Sequence, residues 1–507
     1  MKNAQGKLSY FFIYITTIAY LFLLNYNQNN FKFALIVSVI YMFVSWLAIK
    51  NLLFAVFNVI FCSNLFLSVG KYQSIQILSS NDVTTLLFKG IYGVRSVIDY
   101  QYYKDGIFVF IGISMSILFS IFACLLLAQK AIMAVAINKK IIYEKLSQLN
   151  TFSLLVYLLI FMLVVYLTIT STKNSFVPLY SYTLISRIAV GGFIALLVPY
   201  VLKKSNDKYL FRSVILAITT VLVIFGFQQL LSFKQPAVSE TASFVQEKQS
   251  FIIRPYGIFG HANPFSFVLA ILLLFQLSQS NKNRLEKLSI VGLLLLIVFA
   301  QTRSVWLGII VISILFYNQR LSVFIDFFRQ DRFSVVRKFV FIIVVAVIGQ
   351  RLIRTSFTLN YDGGLVLRSQ MISDALKVYV DKPLFGNGLG SDILATLHAD
   401  PESNMRFYPF SVHSGLVQFI LEGGVVGLSL LMIVPIIVML HSVVGKKSKA
   451  EKKVIRLTLS VFIIAFCYYM FQPSNFDRIE FGLFGLILGW YIASIEMRMP
   501  YETKNKT

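Results

Sequence analysis

The chain has 507 residues, 57% hydrophobic and only 13% charged, with a mean hydropathy of +0.75, whereas a soluble globular domain carries about a quarter charged residues. Its 46 Lys+Arg against 22 Asp+Glu give a net charge of +24, and the basic residues sit between long apolar runs, so the acidic partner they imply is a membrane surface and not nucleic acid. Disorder, collagen and a disulfide scaffold are excluded by the same composition; Cys62, Cys124 and Cys467 lie inside apolar runs and read as packing residues.

A spanning helix needs about 20 mostly apolar residues. Such runs are centred near residues 16, 40, 60, 118, 160, 193, 221, 271, 294, 310, 345, 427, 463 and 487. The fold expected is all-α: a polytopic integral membrane protein of about 14 transmembrane helices, with a long extracytoplasmic loop before the twelfth. The first run, Leu8–Leu24, is rich in Phe and Tyr and lacks a small-residue cleavage site, so it reads as a membrane helix. The two runs flanking Gln301–Ser304 are short, with a polar patch between them.

Placing the N-terminus inside puts segments 1–8, 49–51, 129–150, 202–212, 280–288, 317–338, 441–456 and 497–507 in the cytoplasm. These 102 residues hold 28 Lys+Arg, whereas the 166 residues of the outer segments hold 17. The bias follows the positive-inside rule and puts both termini in the cytoplasm. Runs such as Lys446-Lys447-Ser448-Lys449 hold loops at the anionic inner leaflet. Arginines on the opposite side need another explanation.

Three outer loops, 70–106, 231–263 and 351–412, exceed the turns needed to join helices, and loops of that length carry function. In the first, Arg95, Tyr100, Tyr102 and Tyr103 fit either a sugar-stacking surface or an interfacial aromatic belt. The second ends in Arg254-Pro255-Tyr256-Gly257-Ile258-Phe259-Gly260-His261-Ala262-Asn263-Pro264, and Arg303 follows between two short spans. An arginine between apolar runs is costly unless it faces a cavity, finds an anion or snorkels to the interface.

The longest loop carries Arg351 and Arg354, then Leu367, Met371, Ala375 and Val378 at helical spacing, interrupted by Arg368, Asp374 and Lys377. That pattern predicts an amphipathic helix against the outer membrane surface or over a cavity. Pro383 and Gly386-Asn387-Gly388-Leu389-Gly390 end it in a tight turn; no strand precedes these glycines, so they are not a nucleotide fingerprint. His413 follows at the membrane–water boundary, placed either to act as a general base or to hydrogen-bond a loop carbonyl. Glu422, roughly 13 Å deeper on the next helix at about 1.5 Å per residue, reads as the partner of a buried donor. Gly423 and Gly427 give a small-xxx-small spacing for close helix contact. His261 and His398 are loop histidines, His441 falls on the cytoplasmic side, and the outer acids Asp374, Asp381, Asp392, Asp400 and Glu402 lack metal-site spacing.

Residues 250–440 resemble the bacterial O-antigen ligase and Wzy polysaccharide polymerase superfamily in the order of their motifs. An Arg-x-x-Gly-x-Phe loop comes first, then a Thr/Ser/Arg patch. An outer loop with an arginine-bearing helix and a Pro-x-x-Gly-x-Gly turn follows, and last a histidine nine residues before Glu-x-Gly. Two departures stand out: Thr302-Arg303-Ser304 inverts the usual Ser-Arg order, and Ser414 stands where the family often has Asn. The resemblance implies three parts: scaffold helices in 1–250, the ligase/polymerase-like core in 251–440, and C-terminal helices with a cytoplasmic tail in 441–507. It further implies metal-independent glycosyl transfer without a cofactor, at the outer face of the bacterial cytoplasmic membrane. The donor is a polyprenyl-diphosphate-linked oligosaccharide and the acceptor a glycan hydroxyl. On that reading His413 is catalytic, Arg303, Arg368 and Arg254 bind the diphosphate, and Glu422 supports them. The partners are the lipid-linked substrates, the bilayer and other polysaccharide-assembly proteins, not nucleic acid. A residue composition rich in Ile, Lys, Asn and Phe tilts the expectation to a capsule or exopolysaccharide polymerase over a ligase. A lipid-linked oligosaccharide flippase is the rival from another class; the first half has no counterpart of loop 351–412, although transporters are commonly built from repeats.

A cytoplasm-dependent reporter is expected to be active when inserted at residue 145 or fused after residue 507, and silent at residue 240. The opposite pattern would reverse the orientation.

Overall fold

The protein was analysed as a computed structural model, which describes residues 2–26, 31–66, 68–75, 86–87, 93–95, 100–103, 106–137, 151–175, 178–202, 205–232, 254–259, 262–279, 282–317, 363–391, 412, 414–444, 448–472 and 478–496. Outside the described residues lie the span expected near 345, segments 233–253, 351–362 and 392–411 of the outer loops, and the histidines 261, 398 and 413.

Fourteen helices fall within the described residues. The first four are α1 (Lys2–Tyr26), α2 (Phe31–Ile49), α3 (Leu52–Phe66) and α4 (Met115–Ile137). Next come α5 (Thr151–Asn174), α6 (Pro178–Val201), α7 (Ser205–Ser232), α8 (Ala262–Ser278), α9 (Arg284–Ala300) and α10 (Arg303–Tyr317). The last are α11 (Gly363–Asp381), α12 (Gly415–Val443), α13 (Lys449–Phe471) and α14 (Arg478–Glu496). Six of them are long and apolar enough to cross a membrane, and five more carry shorter apolar stretches. Every expected span centre except the one near 345 falls inside a helix, and α11 is the expected amphipathic one. The fold is that of a polytopic helical membrane protein.

A five-stranded antiparallel sheet, absent from the expectation, stands between α3 and α4: β1 (Ser68–Ile75), β2 (Leu86–Leu87), β3 (Gly93–Arg95), β4 (Tyr100–Tyr103) and β5 (Gly106–Ser114). β5 pairs with both β1 and β4 and lies beside α6. The apolar run centred near 118 therefore splits, its first part becoming a strand. That part, Ile107-Phe108-Val109-Phe110-Ile111, is β-branched and aromatic, a composition that suits a pleated strand. Tyr100 and Tyr102 stand opposite Val109 and Ile107 in the register, and Arg95 opposite Ser68.

Polar groups at the helix ends sort the chain into two ends. At one, Arg212 of α7 grips Glu286 of α9 with Nη2 to Oε1 and Oε2 at 2.7 and 2.8 Å. Glu286 also closes a capping box with Asn283, and Asn283 meets Tyr10 of α1. There too His441, in the last turn of α12, meets the Tyr491 hydroxyl through Nδ1 at 2.8 Å, with the Phe152 ring alongside. At the other end Gln229 of α7, Arg254, Asn263, Ala300 and Gln472 are joined by hydrogen bonds. Segments that share a side by charge count thus share an end of the bundle. In the middle α6 and α14 approach backbone to backbone: a Cβ on Gly191 would lie 2.5 Å from the Phe481 carbonyl oxygen, and one on Gly489 2.9 Å from that of Ala195. Cys62 and Cys467 are buried, as their sequence context suggests, whereas Cys124 is exposed.

Removing one partner of a buried ion pair strands the other. Glu286→Ala is expected to cost about 3 kcal/mol, read as a lower unfolding midpoint in detergent.

Candidate functional site

The ordering begins with a break in α12. Gly424 has φ 64° and ψ −174°, so the helical ladder stops there and restarts. In an unbroken helix the carbonyls of Leu421 and Glu422 would accept from the N–H groups of Val425 and Val426. Instead the N–H groups of Asn387 and Gly388 donate to Leu421 O and Glu422 O at 2.9 and 2.8 Å. The N–H groups of Val425 and Val426 in turn donate to Pro383 O and Leu384 O at 3.0 and 3.2 Å. Two helical hydrogen bonds are replaced by four to the 383–390 turn, which pairs all four of these groups.

The glycines serve this stitch. A Cβ on Gly386 or Gly424 would collide with the opposing backbone, at Glu422 O and Leu384 O respectively, and both residues have positive φ. Helices α5 and α6 close over the far side. Tyr166 donates to Gly423 O at 2.7 Å and to Phe385 O at 3.1 Å, Asn174 Nδ2 donates to Gly386 O at 3.1 Å, and the Leu389 N–H donates to Ser171 Oγ at 3.0 Å. Glu422, fully buried, accepts the Gly390 N–H at 2.9 Å and Gln418 Nε2 at 3.4 Å.

Helix α11 lies against the start of α12. Met371, Ala375 and Val378 are buried with Val412 and Leu421, so its apolar face meets protein rather than lipid. Asp374 is buried and pairs with Lys377 at 3.3 Å. Arg368 falls one helical turn before Met371, on the same side of the helix by periodicity.

A second set of polar bonds joins four chain segments. Arg254 donates Nε to Ala300 O at 2.9 Å and Nη2 to Asn263 Oδ1 at 3.0 Å. Thr302 Oγ1 donates to the same Oδ1 at 3.2 Å, and Asn263 Nδ2 donates to Gln472 Oε1 at 2.6 Å. The Gln472 carbonyl accepts the Gly415 N–H at 2.7 Å. Gln229 clamps the Arg254 loop, accepting the Tyr256 and Gly257 N–H groups at 3.0 and 2.8 Å. Burial pushes the Tyr256 phenol above its ordinary pKa. Between α9 and α10, Gln301 adopts a left-handed conformation (φ 54°) as the α9 cap, and this turn presents Arg303 as an exposed residue in the first turn of α10.

Of the residues expected in the site, Arg254 and the Thr302–Arg303 turn come together through Asn263, and the segment just after His413 joins them through Gln472. Glu422 belongs to the adjoining stitch, and His441 lies at the opposite end. Ser414 caps α12, its Oγ accepting the Val417 N–H at 3.5 Å; Ser and Asn both serve as N-caps, which accounts for the departure at this position.

Comparison with protein families places a name on this part of the chain. Residues 288–432 match the O-antigen ligase family model. The matched stretch runs from the first turns of α9 into α12, with Arg303, Arg368, His413 and Glu422 inside it. Comparison with curated proteins found no match. Asn263, Ser171 and Gln472, which hold the matched stretch from outside, went unnoticed in the sequence as site residues, whereas Arg254, also outside it, was expected there. For Asn263 and Gln472 the only local signal is an amide at the end of an apolar run beside a proline, as in Asn263-Pro264 and Gln472-Pro473.

Gly423 and Gly424 separate cleanly. A Cβ on Gly423 would make ordinary contact at 3.4 Å with Phe419, so Gly423→Ala is expected to fold as wild type. Gly424→Ala is expected to lose more than about 2 kcal/mol, measured as the thermal unfolding midpoint in detergent.

Proposed function

We propose that the protein is a polysaccharide polymerase of the bacterial cytoplasmic membrane, with residues 251–440 as its core. It transfers glycan from a polyprenyl diphosphate to a hydroxyl of another lipid-linked repeat unit at the outer face. The supporting observation is the bridge through Asn263 and Gln472, which ties Arg254 and Thr302, the residue before Arg303, to Gly415, two residues after His413.

The chemistry follows from the residue types. The acceptor oxygen attacks the anomeric carbon as the bond to the diphosphate oxygen breaks, and configuration inverts in this single displacement. His413 takes the proton from the acceptor hydroxyl. The leaving diphosphate gains negative charge, which the guanidinium groups of Arg303 and Arg368 stabilise as planar, permanently charged forks. Arg254 already donates to Ala300 O and Asn263, so its part is to hold the Arg303 turn while adding positive potential. The diphosphate bond stores the driving energy, so neither nucleotide nor metal is required on this reading. Both termini lie in the cytoplasm, and the product is a capsule or exopolysaccharide made together with other assembly proteins.

Purified protein in liposomes with lipid-linked repeat units is expected to yield a ladder of chain lengths. One glycan added to a foreign acceptor would instead mean a ligase, and unchanged donor moved across the bilayer a flippase. His413→Ala is expected to abolish the ladder, and Arg303→Ala to slow it about 100-fold or more; an inserted His413→Ala protein with full activity would remove the general base from the mechanism.

A further inference from the structure

We infer that Gln472 is a substrate-binding residue whose side-chain amide nitrogen donates to an oxygen of the lipid diphosphate, an inference that rests on the polymerase reading above. The orientation of the amide follows from a chain of donors. Arginine can only donate, so the Asn263 atom 3.0 Å from Arg254 Nη2 must be the carbonyl oxygen. The other end of the Asn263 amide is then NH2, and it faces Gln472 at 2.6 Å. The Gln472 atom that meets it must therefore be Oε1, which leaves Nε2 on the side away from Asn263.

Gln472 is only 8% exposed, yet among the described residues no acceptor is hydrogen-bonded to Nε2. That nitrogen is not among the fully buried side-chain atoms left without a partner, so its open side is accessible, and an arrangement that fixes it so firmly suits a ligand that accepts from it. The location agrees. The Gln472 carbonyl holds the Gly415 N–H, and its side chain reaches Thr302, beside Arg303, through Asn263 alone. A neutral N–H2 group between a cationic turn and the helix start after His413 complements an anionic oxygen without adding charge.

The test uses full-length protein in nanodiscs and polyprenyl diphosphate lacking sugar as the probe. Gln472→Glu replaces the outward donor by an anionic oxygen. Asn263→Asp leaves Gln472 untouched but presents an oxygen to Oε1, so the Gln472 amide must turn and aim its own oxygen outward, while Arg254 keeps its partner. Gln472→Met keeps the backbone carbonyl and most of the volume but has no donor. All three are expected to weaken probe binding at least tenfold, with unfolding midpoints close to that of wild type for those that fold. Binding within twofold of wild type in the folded variants would make Gln472 a strut only and overturn the inference. Wild-type protein that does not bind the probe would instead overturn the diphosphate reading itself, and this inference with it.

Discussion

Lipid offers no hydrogen bonds, so a helix that breaks within a membrane must find internal partners for each group it frees. The break at Gly424 imposes that demand on the rest of the site. Its carbonyls at Leu421 and Glu422 and its N–H groups at Val425 and Val426 are met by one six-residue stretch, Pro383–Gly388, of the long loop between α11 and α12. From this pairing comes the position of the turn, and from the turn the end of α11. Helix α11 in turn covers Val412 and the start of α12 with Met371, Ala375 and Val378. Val412 and the start of α12 are therefore covered by an element whose anchor lies deeper in the same helix.

A contrast runs between the two ends of the bundle. One is tied by charge: Arg212 and Glu286 form a bidentate pair with a capping box. The other is tied mainly by neutral amides, with Gln229, Asn263 and Gln472 bridging segments and Arg254 engaged with a carbonyl and an amide oxygen. Among the described residues, the hydrogen bonds of this bridge named above use amides, a hydroxyl, a guanidinium and backbone groups. For an anionic lipid head group the difference is functional, because a carboxylate beside the arginines would cancel the field that attracts a diphosphate. Arg303, exposed beside this amide network, keeps its charge available.

Much of this was legible in advance where the physics is one-dimensional. Apolar runs long enough to span a bilayer became helices, and the 3.6-residue period of Leu367, Met371, Ala375 and Val378 became α11. The sheet was not legible, since the run through Ile107–Ile113 is as apolar as a span; what makes it a strand is pairing with Ser68–Ile75, some forty residues away in sequence. Nor could spacing alone identify the functional glycine in Glu422-Gly423-Gly424. Small-xxx-small spacing pointed to Gly423 and Gly427, whereas the backbone of the distant Pro383–Gly388 turn selects Gly424.

By itself, then, the sequence determined the membrane, the rough placement of the described helices, the partition of loops between two sides and the set of arginines and histidine that the site reading rests on. Those properties depend on hydropathy, charge and local period, which are sums over neighbours in the chain. Tertiary structure decided what the amides do, that Arg254 is held by Ala300 and Asn263, and that Gln472 joins the α12 start to the Arg303 turn. Hydrogen bonds join atoms near in space, and Asn263 and Gln472 lie 209 residues apart in the chain.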